Sequence, residues 1–239
     1  MPASVASELA PTGTLRAAIN LSNFLLVSGH KANGDPEGVA PDLAACIAED
    51  LGVGVTYITF KSPGELADAV TQQVWDVGLI GAEPARAEHI DFTQAYVEIE
   101  ATYLVPGGSS IQAIGDVDQL GVRIAVSERS AYDLYLSRHL EHAELVRASG
   151  LDASYELFVA EDLDALAGLR PRLLDDVQKI DNARILDGRF TAVQQAVGTP
   201  IERAASSAYL RDFVDKAKAS GLIAQLIERH GIDGLSVAP

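Results

Sequence analysis

Short apolar segments alternate with amphipathic segments along this chain of 239 residues, and this alternation limits the possible folds more than any other feature. Runs such as 53–60 and 121–126 are rich in apolar and β-branched residues, which is typical of buried strands. Segment 40–52 instead places its apolar residues at helical spacing. Strands that alternate with helices favour an α/β fold with mostly parallel sheets.

The alternation is interrupted at two places, which predicts two lobes. The first interruption is a Pro-Gly-Gly-Ser-Ser stretch at 106–110, and a second is expected near 188–194. We therefore expect a first lobe of residues 1–104 and 195–239 and a second lobe of residues 105–194. The hinge crossings between them are predicted near 102–108 and 188–195.

Capping signals predict where three helices begin. Residues 62–65, Ser-Pro-Gly-Glu, offer an N-cap hydroxyl, a proline at the first helical position and a glutamate three residues after the cap. Residues 199–202, Thr-Pro-Ile-Glu, repeat this chemistry and predict a second start. In the second lobe, Ser130 and Asp133 predict the start of a helix over 130–143.

Composition excludes several classes of function. The chain is 48% hydrophobic and 22% charged, as expected of a globular protein. Its net charge of -16 repels phosphate backbones and anionic lipids, so nucleic-acid binding is not expected. No apolar run reaches the length needed for membrane insertion. The sequence contains no recognisable metal or cofactor motif, and its single cysteine excludes an intramolecular disulfide.

The amino terminus leaves two cellular locations open. Residues 1–15 contain neither a basic segment nor an apolar segment of the kind found in secretory leaders. The protein is expected to be periplasmic if a leader has been removed, and cytoplasmic otherwise.

The segment "WDVGLIGAEPARAEHIDFTQAYV" (75–97) carries the strongest functional signal. A buried strand is followed at once by Glu83, Arg86 and Asp91, with aromatic residues behind them. In parallel α/β sheets, ligands bind at this carboxyl end of the strands. Arg86 is therefore a candidate ligand residue, and the alternative is a surface arginine paired with Glu83 or Asp91.

The chain resembles the family-3 extracytoplasmic solute-binding proteins, which are amino-acid receptors of ABC importers with the two-lobed type II periplasmic-binding-protein fold. The resemblance extends from about residue 15 to about residue 231 and includes "LRAAIN", "GVAPDLA" and "WDV…RAEHIDFTQAY". Its most specific part is Arg86, five residues before Asp91-Phe92, followed by Thr93 and Tyr96.

The resemblance implies a set of ligand residues. In the family, the arginine that matches Arg86 binds the ligand carboxylate, a role suited to its planar fork of donors. A helix amino terminus on the other lobe binds the same carboxylate, and the matching turn here is "ERSAY". The implied donors of that turn are Ser130 and the amides of Ala131 and Tyr132, and the implied wall residues of the first lobe are Asn20, Asn23 and Phe24. Asn20 and Asn23 have the alternative role of turn residues.

Two departures from the family pattern concern the nature of the ligand. Glu83 stands where the family usually has threonine, and Leu169 stands where an aspartate usually binds the α-ammonium group of the ligand. Two alternatives follow. Either Glu83 binds the ammonium group, or the ligand lacks one and Arg170 helps to bind a second acidic group.

The implied function is a monomeric receptor without catalytic residues. It would capture a small carboxylate, an amino acid or related organic acid, in an interlobe cleft by hinge closure and deliver it to an ABC permease. Two other functions stay open. One is an enzyme similar to cyclohexadienyl or arogenate dehydratase, with Glu83 as the candidate general acid. The other is a cytosolic sensor or scavenger of small molecules.

Overall fold

The computed structural model describes residues 3–239, which form two compact units. The first unit contains the chain up to Glu98 and again from Gln194, and the second unit is Ile99–Val193. Both boundaries therefore lie inside strands, at 98/99 and 193/194, whereas the sequence placed them at 104/105 and 194/195. The first boundary precedes the Pro-Gly-Gly-Ser-Ser stretch because the chain already pairs with a strand of the second unit from Ala101.

The described residues contain α-helices, strands and three short 3-10 turns. The helices are α1 Ala3–Leu9, α2 Val39–Leu51, α3 Pro63–Asp68, α4 Pro84–Ala87, α5 Ala131–His139, α6 Leu151–Ala160, α7 Arg170–Asp176, α8 Ala204–Ala219 and α9 Leu222–His230. The strands are β1 Thr14–Asn20, β2 Gly29–His30, β3 Pro36–Glu37, β4 Gly54–Phe60, β5 Val77–Gly81, β6 Ile90–Val105, β7 Arg123–Ser127, β8 Glu144–Ala148, β9 Ala165–Leu169, β10 Arg184–Ile185, β11 Thr191–Pro200 and β12 Ser236–Val237. The 3-10 turns are Ala69–Gln72, Ile114–Asp116 and Val177–Lys179. None of the helices within 3–239 is long and apolar enough to cross a bilayer.

The first unit is built on a mostly parallel sheet in the order β4-β1-β5-β11. Strand β1 lies parallel to β4 and β5, and β11 returns antiparallel to β5. One face packs against α1, α2, α8 and α9, with Leu15, Ile19 and Val77 fully buried. On the other face Trp75 is fully buried and donates a hydrogen bond from Nε1 to the Leu66 carbonyl at 3.2 Å. Trp75 is thus a core residue.

Local capping residues define the start of one helix of this unit, as predicted, and the end of another. Helix α3 begins after Ser62, whose hydroxyl accepts a hydrogen bond from the Glu65 amide at 3.2 Å, and Pro63 is its first residue. Helix α2 ends at Gly52, which has the left-handed φ of 71° that glycine adopts without steric cost.

The predicted helix start at 199–202 is wrong. Thr199 and Pro200 end strand β11, and α8 begins only at Ala204. The Thr199 hydroxyl donates to the Asp76 carbonyl at 3.0 Å instead of capping a helix. The first turn of α8 is capped by the carboxylate of Glu8, which accepts hydrogen bonds from the Ser206 amide at 3.0 Å and its hydroxyl at 2.8 Å. A distant residue has replaced the local cap.

Asp76 joins four segments of the first unit through a buried ion cluster, called here the Asp76 cluster: Asp76, Arg16 and Arg203. Arg16 donates from Nε at 2.9 Å and from Nη2 at 2.8 Å, and Arg203 donates from Nη1 at 2.7 Å. Arg203 Nη1 also lies 2.7 Å from the Glu8 carbonyl. The hydrogen bond and charge of Asp76 raise the pKa of Arg16 despite its partial burial. The cluster ties β1, β5 and α1 to the segment between β11 and α8.

The second unit has a sheet in the order β6-β9-β7-β8, in which β9, β7 and β8 are parallel and β6 is antiparallel to β9. Leu166, Phe158 and Leu173 form its core together with Leu104 and Ala125. These two mostly parallel sheets, each flanked by helices, confirm the predicted α/β class. Strands β6 and β11 carry the chain from one unit to the other.

Helix α5 is shorter than predicted, since it ends at His139 and not at residue 143. The carboxylate of Asp118 accepts hydrogen bonds from the amides of Glu141, His142 and Ala143 at 2.8–2.9 Å, which holds these residues outside the helix. The same backbone hydrogen bonds lower the pKa of Asp118 below its ordinary value.

Candidate functional site

In the first unit, the segment after β5 places a buried arginine at the carboxyl edge of the sheet. Glu83 is extended, with φ -139° and ψ 144°, and Pro84 starts the single turn of α4 that carries Arg86. The Arg86 residue is only 6% exposed, and its Nη1 donates to the Gly81 carbonyl at 2.7 Å. This hydrogen bond anchors one arm of the guanidinium to the last residue of β5.

The burial of Arg86 contradicts the surface placement of the alternative interpretation, whereas its pairing with Glu83 stays a prediction. An arginine on the protein surface would be well exposed, but Arg86 is buried. Asp91, one of its two suggested partners, instead pairs with Arg211 of α8. Glu83, the other suggested partner, is half-buried and directly precedes α4. A guanidinium stays charged when it is buried, which suits it to binding an anion.

The turn after β1 brings the predicted wall residues to the same edge of this sheet. Strand β1 runs parallel to β5, with Ile19 opposite Leu79, so Asn20 and Gly81 end neighbouring strands. The Asn20 side chain accepts hydrogen bonds from the amide of Ser22 at 3.1 Å and its hydroxyl at 2.8 Å. The side-chain oxygen of Asn20 therefore stabilises a turn, which is the alternative role that the sequence predicted.

Asn23 and Phe24 occupy the same turn. Asn23 is 8% exposed, and its Oδ1 accepts from the Leu25 amide at 3.3 Å, so it too supports the local backbone. Phe24 is half-buried. The structure thus gives both asparagines a turn role, and a role in ligand binding stays a prediction for Asn20, Asn23 and Phe24.

In the second unit, β7 is followed directly by the amino terminus of α5. The Ser130 hydroxyl accepts from the Asp133 amide at 3.1 Å, which confirms Ser130 as the N-cap. The backbone N–H groups of Ala131 and Tyr132 have no acceptor among residues 3–239. The unused amides and the positive end of the helix dipole favour an anion at this point.

Hydrogen bonds to the Asp133 carboxylate hold the start of α5 in place. Its carboxylate, 2% exposed, accepts from the Arg129 amide at 2.7 Å and from Nε of Arg147 at 3.0 Å. Arg129 has a left-handed φ of 56°, which is uncommon for a residue other than glycine. Arg147 also donates to the Ser137 hydroxyl at 2.8 Å, so β8 and α5 are joined at two points.

Tyr132 has a buried hydroxyl that makes no hydrogen bond of normal geometry within the described part of the chain. The residue is 3% exposed, and burial raises its pKa to about 12, with a smaller opposing effect of the nearby Ser130 and Ser127 hydroxyls. At neutral pH the Tyr132 hydroxyl therefore keeps its proton, so the hydroxyl and the amide of this residue are both candidate donors.

A second group of charged residues lies where β9 ends. Leu169 is 6% exposed, and its apolar side chain gives α7 no cap. Arg170, the first residue of α7, donates from Nε to Glu100 at 2.8 Å and from Nη2 to the Gly188 carbonyl. Arg189 lies 3.6 Å from the other oxygen of Glu100. Arg170 therefore takes part in an ion pair, and its role as a ligand residue stays a prediction.

Sequence reasoning missed Glu100, Arg189 and the Asp76 cluster. Glu100 and Arg170 are 70 positions apart and meet because Ala101 pairs with Leu169 across β6 and β9. No local pattern reports a contact of this kind. Among the missed residues, only Asp76 carried a signal, since it is a charged residue directly before a fully apolar strand.

Solved structures of binding proteins resemble this chain over almost its whole length. A mutant of ArgBP from T. maritima has a TM-score of 0.75 at 19% identity, covering 96% of this chain and 100% of that one. An amino-acid ABC transporter substrate-binding protein from Streptococcus pneumoniae bound to L-arginine has a TM-score of 0.74 at 18% identity, covering 98% and 99%. An ancestral amino-acid-binding protein that is a precursor of cyclohexadienyl dehydratase has a TM-score of 0.73 at 20% identity, covering 93% and 97%. These likenesses confirm the type II periplasmic-binding-protein fold.

The sequence itself identifies the family. No curated protein is similar enough to be matched with the chain. The family of bacterial extracellular solute-binding proteins, family 3, matches residues 22–232, which include every candidate ligand residue except Asn20. This chain therefore belongs to family 3 of the bacterial extracellular solute-binding proteins.

Proposed function

We propose that this protein is the solute receptor of an ABC importer and that it binds a small carboxylate, an amino acid or related organic acid. The observation that carries the proposal is the buried Arg86, whose guanidinium is anchored at one arm to Gly81. A buried fork of donors binds a carboxylate with two parallel charge-assisted hydrogen bonds. The amino acids bound by similar proteins, L-arginine and lysine among them, agree with a ligand that carries a carboxylate.

The second unit carries its own set of donors suited to a carboxylate. The amides of Ala131 and Tyr132 and the hydroxyl of Ser130 converge at the amino terminus of α5. Their rigid placement by Asp133 and Arg147 lowers the entropy cost of binding, because the donors are already ordered. The partner of the receptor is an ABC permease, in keeping with the family. The receptor itself is located outside the cytoplasm.

The first experiment compares Arg86→Met with Arg211→Met after unfolding and refolding to remove bound ligand. Amino acids and mono- and dicarboxylates of three to six carbons are screened by thermal shift. A ligand at about 100 times its Kd stabilises the folded state by about 2.7 kcal/mol, which for a chain of this size is a shift of roughly 5–10 °C. We expect Arg86→Met to weaken binding about 100-fold or more, because each hydrogen bond to a charged group contributes about 1.5–3 kcal/mol.

Arg211→Met is the matched control, since it removes an exposed guanidinium of the same unit that pairs with Asp91. Its affinity should equal that of the wild type. Arg86→Lys keeps the charge without the planar fork and should fall between the two. Equal affinities for Arg86→Met and Arg211→Met would contradict the proposal. Formation of phenylpyruvate from prephenate would instead identify a dehydratase.

A further inference from the structure

Three charged residues of the second unit gather at one edge of its sheet. Glu100, the second residue of this unit, receives Arg170 on one carboxylate oxygen at 2.8 Å and Arg189 on the other at 3.6 Å. We call these residues the Glu100 cluster. Two guanidinium groups around one carboxylate give the cluster a net charge of about +1, within a chain whose net charge is -16. The formal positive charge of these three residues favours an anion over a cation as their ligand.

Arg170 retains the capacity to bind a further acceptor. A guanidinium has five N–H groups, of which Glu100 and Gly188 occupy two, and the other three have no acceptor within residues 3–239. The side chain is 27% exposed and is therefore accessible to a small solute. An exposed ion pair also reorganises at low cost, since its contribution to stability is small.

The fold places the Glu100 cluster beside the amino terminus of α5. Strands β7 and β9 are parallel neighbours, with Ala125 opposite Leu166. Ser130 follows the carboxyl end of β7 and Arg170 follows the carboxyl end of β9. Neighbouring strands lie about 4.8 Å apart, so both groups of donors project from one edge of the same sheet. A solute held at α5 by one carboxylate therefore has the cluster within reach of a second group.

We infer that the Glu100 cluster is a second anion subsite and that the solute carries two acidic groups. This inference rests on the proposed function and adds the substrate class, a small dicarboxylate or an amino acid with an acidic side chain. Arg170 and Arg189 bind the second acidic group, and Glu100 holds both arginines in place while competing with the solute for them. Leu169, which precedes Arg170, offers no polar group to this part of the solute.

The test uses pairs of probes that differ only in the second acidic group. The pairs are succinate and succinamate, glutarate and glutaramate, L-aspartate and L-asparagine, and L-glutamate and L-glutamine. Their affinities for the refolded full chain are measured by isothermal titration calorimetry. The wild type is expected to bind the acidic member of at least one pair tenfold or more tightly. Arg170→Met should reduce this preference to near unity and leave the affinity for the amide member within about twofold, because only the amide lacks the second charge.

Glu100→Gln should act in the opposite direction and increase the preference for the acidic member, since it removes the competing carboxylate. Arg170→Lys should retain most of the preference, and Arg211→Met in the first unit should retain all of it. Circular dichroism of each variant establishes that it is folded. If the ion pair between Arg170 and Glu100 were merely structural, these substitutions would change stability. The ratio of the affinities for the acidic and amide probes would then stay as it is in the wild type.

The outcomes separate this inference from the proposed function. Binding that depends on Arg86 but shows the same ratio in the wild type and in Arg170→Met overturns the subsite alone. Weaker binding of the amino acids in Glu100→Gln also overturns it, because Glu100 would then bind their ammonium group. Failure of all eight probes to bind contradicts the dicarboxylate class, and the Arg86→Met comparison with the wider panel then decides the proposed function separately.

Discussion

Each unit of this protein contains a carboxylate that is held by two arginines, and these two clusters differ chiefly in burial. Asp76 in the first unit is completely buried, and its partners Arg16 and Arg203 are 23% and 17% exposed. Glu100 in the second unit is 46% exposed, and its partners Arg170 and Arg189 are 27% and 44% exposed. The same chemical groups therefore occupy two very different dielectric environments.

The comparison shows how burial assigns different roles to the same side chains. Removal of one charge from a buried cluster leaves the others without water or a partner, which strongly destabilises the fold. In an exposed cluster, water replaces the lost partner at little cost. We therefore expect the Asp76 cluster to determine stability and the Glu100 cluster to determine selectivity. Three substitutions at carboxylates test this difference.

Asp76→Asn should have the largest effect on stability. Asparagine has the same shape but no charge, so Arg16 and Arg203 lose their partner while partly buried. We expect a loss of about 3–5 kcal/mol in the free energy of unfolding, measured by urea denaturation. For a chain of this size, the fall in Tm should exceed about 6 °C. A change below about 1 kcal/mol would show that burial does not distinguish the clusters.

Much of the architecture could be predicted because its signals are local. The period of apolar residues predicted the α/β alternation, and the Ser62-Pro63 pair predicted the start of α3, where the hydroxyl does bind the Glu65 amide. Ser130 was predicted in the same way and is the N-cap of α5. In each case the residues that determine the structure lie within four positions of one another.

The sequence failed where distant residues meet. Residues 199–202 have the composition of a helix start, but Asp76 recruits the Thr199 hydroxyl and Glu8 caps α8 from 198 positions away. Arg86 was predicted as a candidate ligand residue, whereas its anchor on Gly81 and its burial required the structure. Glu100 and Arg170 meet only through the pairing of β6 with β9. Tertiary contacts of this kind leave no pattern in neighbouring residues.

Asp176→Asn should have an intermediate effect, because this carboxylate combines features of both clusters. Asp176 is 1% exposed and accepts from Arg172 at 2.8 Å, but its second partner Lys179 is 49% exposed. Arg172 also keeps its contact with Asp152 at 2.7 Å after the substitution. We expect a loss of about 1–3 kcal/mol by urea denaturation. A loss as large as that of Asp76→Asn would indicate that the burial of the carboxylate alone matters and that the exposure of its partners does not.

Glu100→Gln should have the smallest effect on stability, below about 1 kcal/mol, because Arg170 and Arg189 gain water in place of the carboxylate. The amide oxygen of the new side chain would also remain an acceptor for one N–H group of Arg170. Urea denaturation of this variant without ligand is the direct counterpart of the Asp76→Asn measurement. A loss near about 3 kcal/mol would mean that Glu100 neutralises two arginines that the fold requires, and the cluster would then be structural. A small loss leaves Glu100 dispensable for folding, which is the condition under which its position beside α5 can instead be used to select a ligand.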